Sequence, residues 1–465
     1  MKVRLLNLWD QIQSSYWLIP SLMALGAAVL AFTTTALDAR LGSAWMENIP
    51  WLQANQPDGA RALLSTVAAS MIGVAGVTFS ITMVAMVMAS AQFGPRLLSN
   101  FMRDRGNQTT LGIFIATFIY CLLVLRTVKS PEVSAVGTAD ASFFVPHLAV
   151  LVGLALAVVS LGAFIFFIHH APESIHISNV IADVGRSFGE RIDHLYPGAV
   201  GEAGGSAKSE ELAATGFDAE AACIEANGTG YIQAMDPSTL LDVATDEDLF
   251  LRVAYRPGDF VSEGKALVYA SPASRVDDGV RRRIRGAFVW GRERTRAMDI
   301  LYLSDQLVEI AARALSPGVN DPHSAMDCLD WLGAGLIRLG ERPAPDSVRV
   351  DDEGTPRVLT LPVDFEVAMD AVFDPLRPYV SSDRNATARA FKVLAELASS
   401  LAAKDRAEPI ALHADALMTA VRLNQSDPRD LAQAEEMHRV VTRLLNGELA
   451  PDERATRLRW LGGSG

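Results

Sequence analysis

Three groups of residues in this 465-residue chain have types and spacings that could do chemistry. The first is the set of hydroxyl and amide side chains Ser70, Thr78, Thr82 and Gln92, carried by an otherwise apolar stretch from Leu64 to Gln92. Thr78, Thr82, Ala85, Ala89 and Gln92 recur at helical spacing and share one face. A face of this kind can border a water-filled path for an ion or small solute without a charged side chain. It can equally pack against neighbouring helices, each hydroxyl bonding the carbonyl one turn back. No Asp, Glu, Lys or Arg interrupts Leu64–Gln92, so this helix gives no support to a proton relay or a charge-coupled pump.

The second group is basic. Arg281, Arg282, Arg283, Arg285, Arg292, Arg294 and Arg296 crowd into one segment, and Ser316-Pro317-Gly318-Val319-Asn320-Asp321-Pro322 follows it. Guanidinium forks from Arg292, Arg294 and Arg296, with backbone N–H groups around Ser316, Asn320 and Asp321 at a helix start, could hold phosphate or carboxylate. The competing reading is an arginine face paired with surface carboxylates. In that reading Asp321 is simply the cap of a helix that begins at Pro322. Arg96, Arg103 and Arg105 form a smaller basic set after the turn signal Gly94-Pro95. With Leu97, Leu98, Phe101 and Met102 they read as a short amphipathic helix at a membrane surface, or as a plain positive anchor.

The third group is His169, Glu173 and His176, which would share one face of a continuous helix. His169 and His176 are weak metal candidates, and Pro172 is expected to break or restart the helix between them. No metal and no cofactor are expected. The three cysteines, Cys121, Cys223 and Cys328, share no close spacing. Nothing in the chain pairs a nucleophile with a base or cradles a phosphate in a glycine loop, so nothing nominates an enzyme.

The elements that must position these groups differ sharply along the chain. Apolar residues are concentrated before residue 170, and four stretches reach membrane-spanning length: Trp17–Leu37, Leu64–Gln92, Leu111–Val128 and Pro146–Ile168, the third marginal. The first reads as an uncleaved helix, because its apolar run is too long for a signal peptide. In the second, Ser65, Ala69, Gly73, Gly76 and Ser80 form a small-residue face of the kind that lets helices pack closely in lipid. Lys and Arg near the span ends favour both termini on the cytoplasmic side. The formal net charge of −13 comes mostly from the remainder of the chain and argues against a nucleic-acid partner.

After the fourth span, Val180, Ile181, Val184, Phe188 and Ile192 predict an amphipathic helix. A Pro/Gly/Ser/Ala-rich linker follows it. Short β-type runs at Gly230–Met235, Leu249–Tyr255 and Ala266–Ala270 alternate with turn signals. The run RPGDFVSEGKALVYA resembles a small barrel-sandwich module of the lipoyl and biotinyl carrier type. Lys265 does not sit at a hairpin tip as a carrier lysine would, so an unmodified module is expected. Ile300, Leu303, Leu307, Ile310, Ala311 and Ala314 begin a helical region. The expected segments are 1–16 (N-terminal), 17–170 (membrane), 171–220 (juxtamembrane helix and linker), 221–275 (β-module), 276–450 (helical) and 451–465 (tail). The fold class is thus an α-helical integral membrane protein with four transmembrane helices, followed by a cytoplasmic α+β region: a small β barrel-sandwich-like module plus a helical domain.

The stretches STVAASMIGVAGVTFSITMVAMVMASAQFGPRLLSNFMRDRGNQ, FIYCLLVLRTV, FIHH, GYIQAMD and RALSPGVNDPHSA together resemble the DUF2254 family of predicted bacterial membrane proteins. The likeness runs from the first span to about residue 335. The family pattern has Gln-Asp followed two residues later by Phe-Gly; this chain has Met298-Asp299 and then Tyr302-Leu303. The resemblance implies a bacterial inner-membrane protein with a cytoplasmic C-terminal region and implies no activity. Two functions fit the residues. One is a homo-oligomeric channel-like protein passing an ion or small solute through the lipid bilayer, with the second span lining the path and the cytoplasmic domain assembling and gating it. The other is a membrane-anchored sensory or binding protein whose cytoplasmic domain recognises an anionic ligand or protein partner.

Overall fold

The computed structural model describes residues 16–41, 57–94, 102, 104–128, 145–196, 221–343, 346–401 and 406–449. They fall into two compact units, one ending at His176 and the other starting at Ile177.

The first unit is built of α1 (Leu18–Leu41), α2 (Pro57–Phe93), α3 (Arg105–Leu125) and α4 (His147–Ile175). All four are long and apolar enough to cross a membrane. The shortest, α3, is the hub. It packs on α1, α2 and α4, and half of its apolar window (50%) is buried, against 22% for α1 and α2 and 17% for α4. One glycine explains part of this. A Cβ at Gly112 would stand 2.5 Å from Met23 Sδ and 3.3 Å from Pro20 Cα, so α1 approaches α3 over a position with no side chain.

The packing face expected on α2 lies elsewhere. Ser65, Ala69, Gly73, Gly76 and Ser80 are all exposed. Among the described residues nothing comes within 4 Å of a Cβ built at Gly73 or Gly76. The face turned inward carries Leu64, Ala68, Ala75, Thr78, Thr82, Met86 and Ala89. Within one chain the neighbours of α2 are met by this Ala- and Thr-bearing face with Leu64 and Met86, while the Gly/Ser face is left uncovered together with large side chains such as Ile72, Val77 and Phe79. α4 also departs from expectation: it runs through Pro172 and ends at His176, whose extended backbone stops it. A proline this close to the helix end removes a single backbone bond, which the last turn survives.

The second unit begins with α5 (Ile177–Leu195), which buries Val180, Ile181, Val184, Phe188 and Ile192 as their spacing predicts. Then come β1 (Ala222–Glu225), β2 (Gly230–Met235), α6 (Pro237–Asp246), β3 (Phe250–Val253), β4 (Phe260–Val261) and β5 (Ala266–Ser271). A further helix α7 (Asp278–Gly286) and strand β6 (Phe288–Gly291) follow. The strands make two open sheets, β1-β5-β3-β8-β7 and β4-β2-β6, where β7 is Val348–Val350 and β8 is Pro356–Leu359. No closed barrel forms among the described residues. The β-module is also not confined to 221–275. Ile284, Phe288 and Val358 share one core with Ile224, Leu251 and Val268, and β8 joins β3 in parallel. Five-residue runs are too short to close a core alone, so later chain completes it.

The helical region therefore starts at α8 (Ile300–Ala314) and continues through α9 (Pro322–Gly340), α10 (Phe365–Val380), α11 (Arg384–Leu401), α12 (Ala407–Asn424) and α13 (Pro428–Leu445). Leu394, Leu397 and Leu401 are buried, as are Leu417, Met418 and Val421. The linker after α5 and the tail lie outside the described residues.

Candidate functional site

The polar edge of α2 points into the four-helix unit. Thr78 is 2% exposed and Thr82 5%. Thr78 Oγ1 donates to Val74 O at 3.0 Å and is 2.9 Å from Ala75 O, while Thr82 Oγ1 donates to Thr78 O at 2.9 Å. Both hydroxyls satisfy their own helix, as the packing alternative requires. A path between copies could not be lined by these two groups, because they face their own protomer's interior. Ser70 is exposed, and the side chain of Gln92 is outside the described set.

The same interior holds polar side chains from the hub helix. Asn107, Gln108, Thr110 and Thr117 of α3 are all buried. At one end of the unit, Asp104 caps α3 by accepting Gly106 N at 2.8 Å. It also accepts Asn107 Nδ2 at 2.9 Å and His170 Nε2 at 2.8 Å, tying the start of α3 to the end of α4. Gly106 is small by necessity, since a Cβ there would stand 2.5 Å from His170 Nε2. Gln108 Nε2 donates to Met102 O at 2.6 Å.

At the other end, Asp38 of α1 reaches across to the start of α4. Its two oxygens accept Leu148 N at 3.0 Å and Ala149 N at 2.9 Å. Pro146 offers α4 no side-chain cap, so Asp38 supplies from another helix the acceptor that these N–H groups lack. Beside it the Thr34 and Tyr120 hydroxyls are 3.0 Å apart, and Tyr120 donates to Ala149 O at 3.0 Å. Thr117 and Ser160 bond at 2.9 Å towards the middle of the unit. Between the two polar ends lies an apolar block of Ala75, Phe114 and Ala163.

In the second unit the arginines are mostly committed. Arg281 donates to Cys223 O at 2.7 Å and Arg285 to Glu225 O at 2.8 Å. These carbonyls are on alternate residues of edge strand β1, and a four-residue helical step matches a two-residue strand step. The pair thus covers an edge that would otherwise be open to pairing. Arg283 pairs with Asp246 at 2.5 Å and Glu247 at 3.3 Å. Arg294 is held by Asp299 at 2.7 Å and by Asp305, and lies 5.6 Å from the Tyr302 ring centre. Burial pushes the Asp299 carboxyl up, with Arg294 pulling the other way. Burial likewise raises the Tyr196 hydroxyl to about 12. Arg292 is exposed and Arg296 half-buried.

Ser316 Oγ donates to Arg313 O at 2.6 Å. Asn320 takes a left-handed backbone with φ 51, and Asp321 caps α9 through Ser324 N at 3.2 Å. Arg294 is bonded to Asp305 in the second turn of α8, and Ser316 follows the other end of that helix, about 16 Å further along the axis by the helical rise. The structure therefore does not bring Arg294 to the Ser316–Asp321 turn. A separate cleft of about 450 Å³ opens between α5 and α9, lined by Arg186, Glu190, Asp193, Trp331 and Arg338 among others.

Arg105 is the exposed first residue of α3, while Arg96 and Arg103 lie outside the described residues. His169 is exposed and pairs with Glu173 at 3.4 Å, and His176 is exposed at the helix stop. Among the described residues no three His, Cys, Asp or Glu side chains assemble as a metal set. Sequence reasoning passed over Asp38, Asp104, Tyr120 and His170. Two of them carried a signal. Asp38 is the lone carboxylate of α1, and Asp104 precedes an apolar run by a capping distance.

A family model described as a predicted membrane protein (DUF2254) matches residues 13–396. Uncharacterized proteins of Mycobacterium bovis (Mb1321c) and Mycobacterium tuberculosis (Rv1290c) are each 32% identical over 354 residues, covering 74% of this chain. The alignment spans 64% of the length of each of those relatives. No solved structure matches.

Proposed function

The chain belongs to the DUF2254 family of predicted membrane proteins, and from that premise we propose a channel-like protein of the bacterial inner membrane that passes an ion or small solute. The path would run through the interior of the four-helix unit, along α3, with Thr78 and Thr82 of α2 at its border. The observation that carries this reading is the set of polar side chains turned inward between the half-buried Asp104 and the buried Asp38, with an apolar block around Phe114 among them. Carboxylates such as Asp38 and Asp104 inside a membrane unit are expensive and by default point to a pathway. Both termini would face the cytoplasm, where the second unit would assemble copies and gate the path. The uncovered face of Ser65, Ala69, Gly73, Gly76 and Ser80 suits contact between copies in a homo-oligomer. No catalytic step is part of the reading.

Purified protein in liposomes tests it directly. Vesicles carrying the protein should pass ions or release a trapped solute, and Thr78→Leu or Thr82→Leu should change the rate while the melting temperature stays close to wild type. Tight vesicles with folded wild-type protein would remove the proposal.

A second reading has one observation in its favour. The α5–α9 cleft, with Arg186, Arg338 and Trp331, has the size of a small-molecule site and suits a membrane-anchored sensory or binding protein for an anionic ligand or protein partner. It is the weaker reading, because Arg338 is already 3.3 Å from Asp193 and Arg186 pairs with Asp183.

A further inference from the structure

We propose that the species carried is the proton, handed through each protomer along the polar side chains that follow α3, with Phe114 as the barrier between the two halves. The inference rests on the conducting reading above and names its permeant.

Each end of the unit carries a carboxylate and an imidazole. Asp104 accepts His170 Nε2 at 2.8 Å. Asp38 binds Leu148 N, and the residue just before it is His147, whose buried Nδ1 has no hydrogen-bond partner among the described residues. A carboxylate can accept a proton, and an imidazole can take one up on one ring nitrogen while releasing one from the other. Inward from Asp38, Thr34 stands one turn back on the same face of α1 and is bonded to Tyr120, 3.0 Å away. One turn along α3 from Tyr120, Thr117 bonds Ser160 at 2.9 Å. From the opposite end, Asp104 is followed by Asn107, Gln108 and Thr110 on α3, with Thr82 and Thr78 on α2. Cys121 is the other titratable side chain in the Tyr120 core.

The packing selects the proton over larger ions. Thr117, Tyr120 and Ser160 are each 0% exposed, so among the described residues no standing channel wide enough for a hydrated ion passes these three side chains. A proton needs no such channel. Each hydroxyl releases its own proton as it accepts the incoming one, its O–H bond breaking as the new one forms, so no charge accumulates on it. Where successive groups are not in contact, as between the Tyr120 hydroxyl and the Thr117–Ser160 pair, a water admitted transiently between them would do the same.

Phe114 interrupts this order. It is 0% exposed, and α3 carries no hydroxyl between Thr110 and Thr117, a separation of about 10 Å along the helix. Its neighbours across the interior are Ala75 and Ala163, small side chains against which a displaced ring would leave space for water. A dry apolar block of this kind closes a path by excluding water.

The test uses the full chain in liposomes loaded with a pH-sensitive dye, with an inside-negative potential imposed by potassium and valinomycin. Sodium and chloride entry are followed in parallel. Phe114→Ala should raise proton entry about tenfold by opening the dry block to water, with no rise in sodium or chloride. Tyr120→Phe in that background should remove most of the gain, and Asp38→Asn should do the same. Tyr120→Phe loses one oxygen only, so it decides the matter even if Asp38→Asn fails to fold. Sodium or chloride passing as readily as protons overturns the proton assignment and leaves the conducting reading intact. Proton entry that ignores Tyr120→Phe overturns the internal route. No flux of any kind from folded wild type and Phe114→Ala overturns both.

Discussion

Helices α2 and α3 lie side by side in the same unit, and they use their residues in opposite ways. α2 has 37 residues, is rich in Gly, Ala and Ser, and turns its small face outward. α3 has 21 residues, touches all three of the other helices, and buries Asn107, Gln108, Thr110 and Thr117. Length and a small-residue stripe make α2 the prominent helix in the sequence. Neighbours on every side make α3 the prominent one in the structure. In an apolar bundle the helix with the most contacts is where polar side chains can be satisfied by protein, and so where they gather.

The largest effect should separate the glycines of the two helices. Gly112→Leu forces a side chain against Met23 and Pro20 and should cost about 3 kcal/mol of unit stability by overpacking. Gly73→Leu on α2 enters open space in the protomer and should stay within about 0.5 kcal/mol. Thermal unfolding in detergent measures both. Equal losses would mean that α2 is as enclosed as α3 and would end the comparison. If only Gly73→Leu disperses a crosslinked oligomer, the outward face is where copies meet.

A smaller difference should appear at the cap. Asp104→Ala strips α3 of its N-terminal acceptor and leaves His170 and Asn107 without their shared partner, a loss of about 2 kcal/mol. His170→Phe alone should cost less, since Asp104 would still accept the backbone N–H of Gly106 and Asn107 Nδ2. Smaller again, Thr117→Val should cost about 1 kcal/mol by removing its bond to Ser160, which keeps its own bond to Leu156 O, and Ser80→Val on α2 should cost nothing measurable.

The four spans and their approximate limits were legible because some twenty apolar residues in a row leave few other structures open to the chain. α5, α8 and α9 were legible for a related reason: their apolar positions repeat at helical spacing, and Asp321-Pro322 marks a start that the structure confirms. What periodicity could not give is which face of an all-apolar helix turns inward. α2 has apolar residues on every side, so its small face and its Thr78–Thr82 face were equally eligible, and only neighbours decide. The β-module was legible as strands but not as a whole, because β7 and β8 come from some eighty residues downstream of β5. Asp38 escaped because its role is non-local: it caps α4, more than a hundred residues away.

The last expected effect contrasts polar groups inside the bundle with those on the surface of the second unit. Arg357, 2.7 Å away, and Arg275 hold the Asp248 carboxyl below the usual carboxylate range. Because its folded value lies below the unfolded one, the pairing contributes stability that is present above the unfolded pKa. That stability is lost as pH falls through the folded value. Acid unfolding of the second unit should therefore become less steep below pH about 4 in Arg357→Ala. The effect should be small, and it should shrink as salt is added, since these charges meet in solvent. The loss at Asp104→Ala should respond less to salt, because that carboxylate is only 16% exposed and spends its bonds on Gly106, Asn107 and His170. If the two variants respond alike to salt, the Asp104 end of the bundle is open to water, and α3 is no more a protected interior than the outward face of α2.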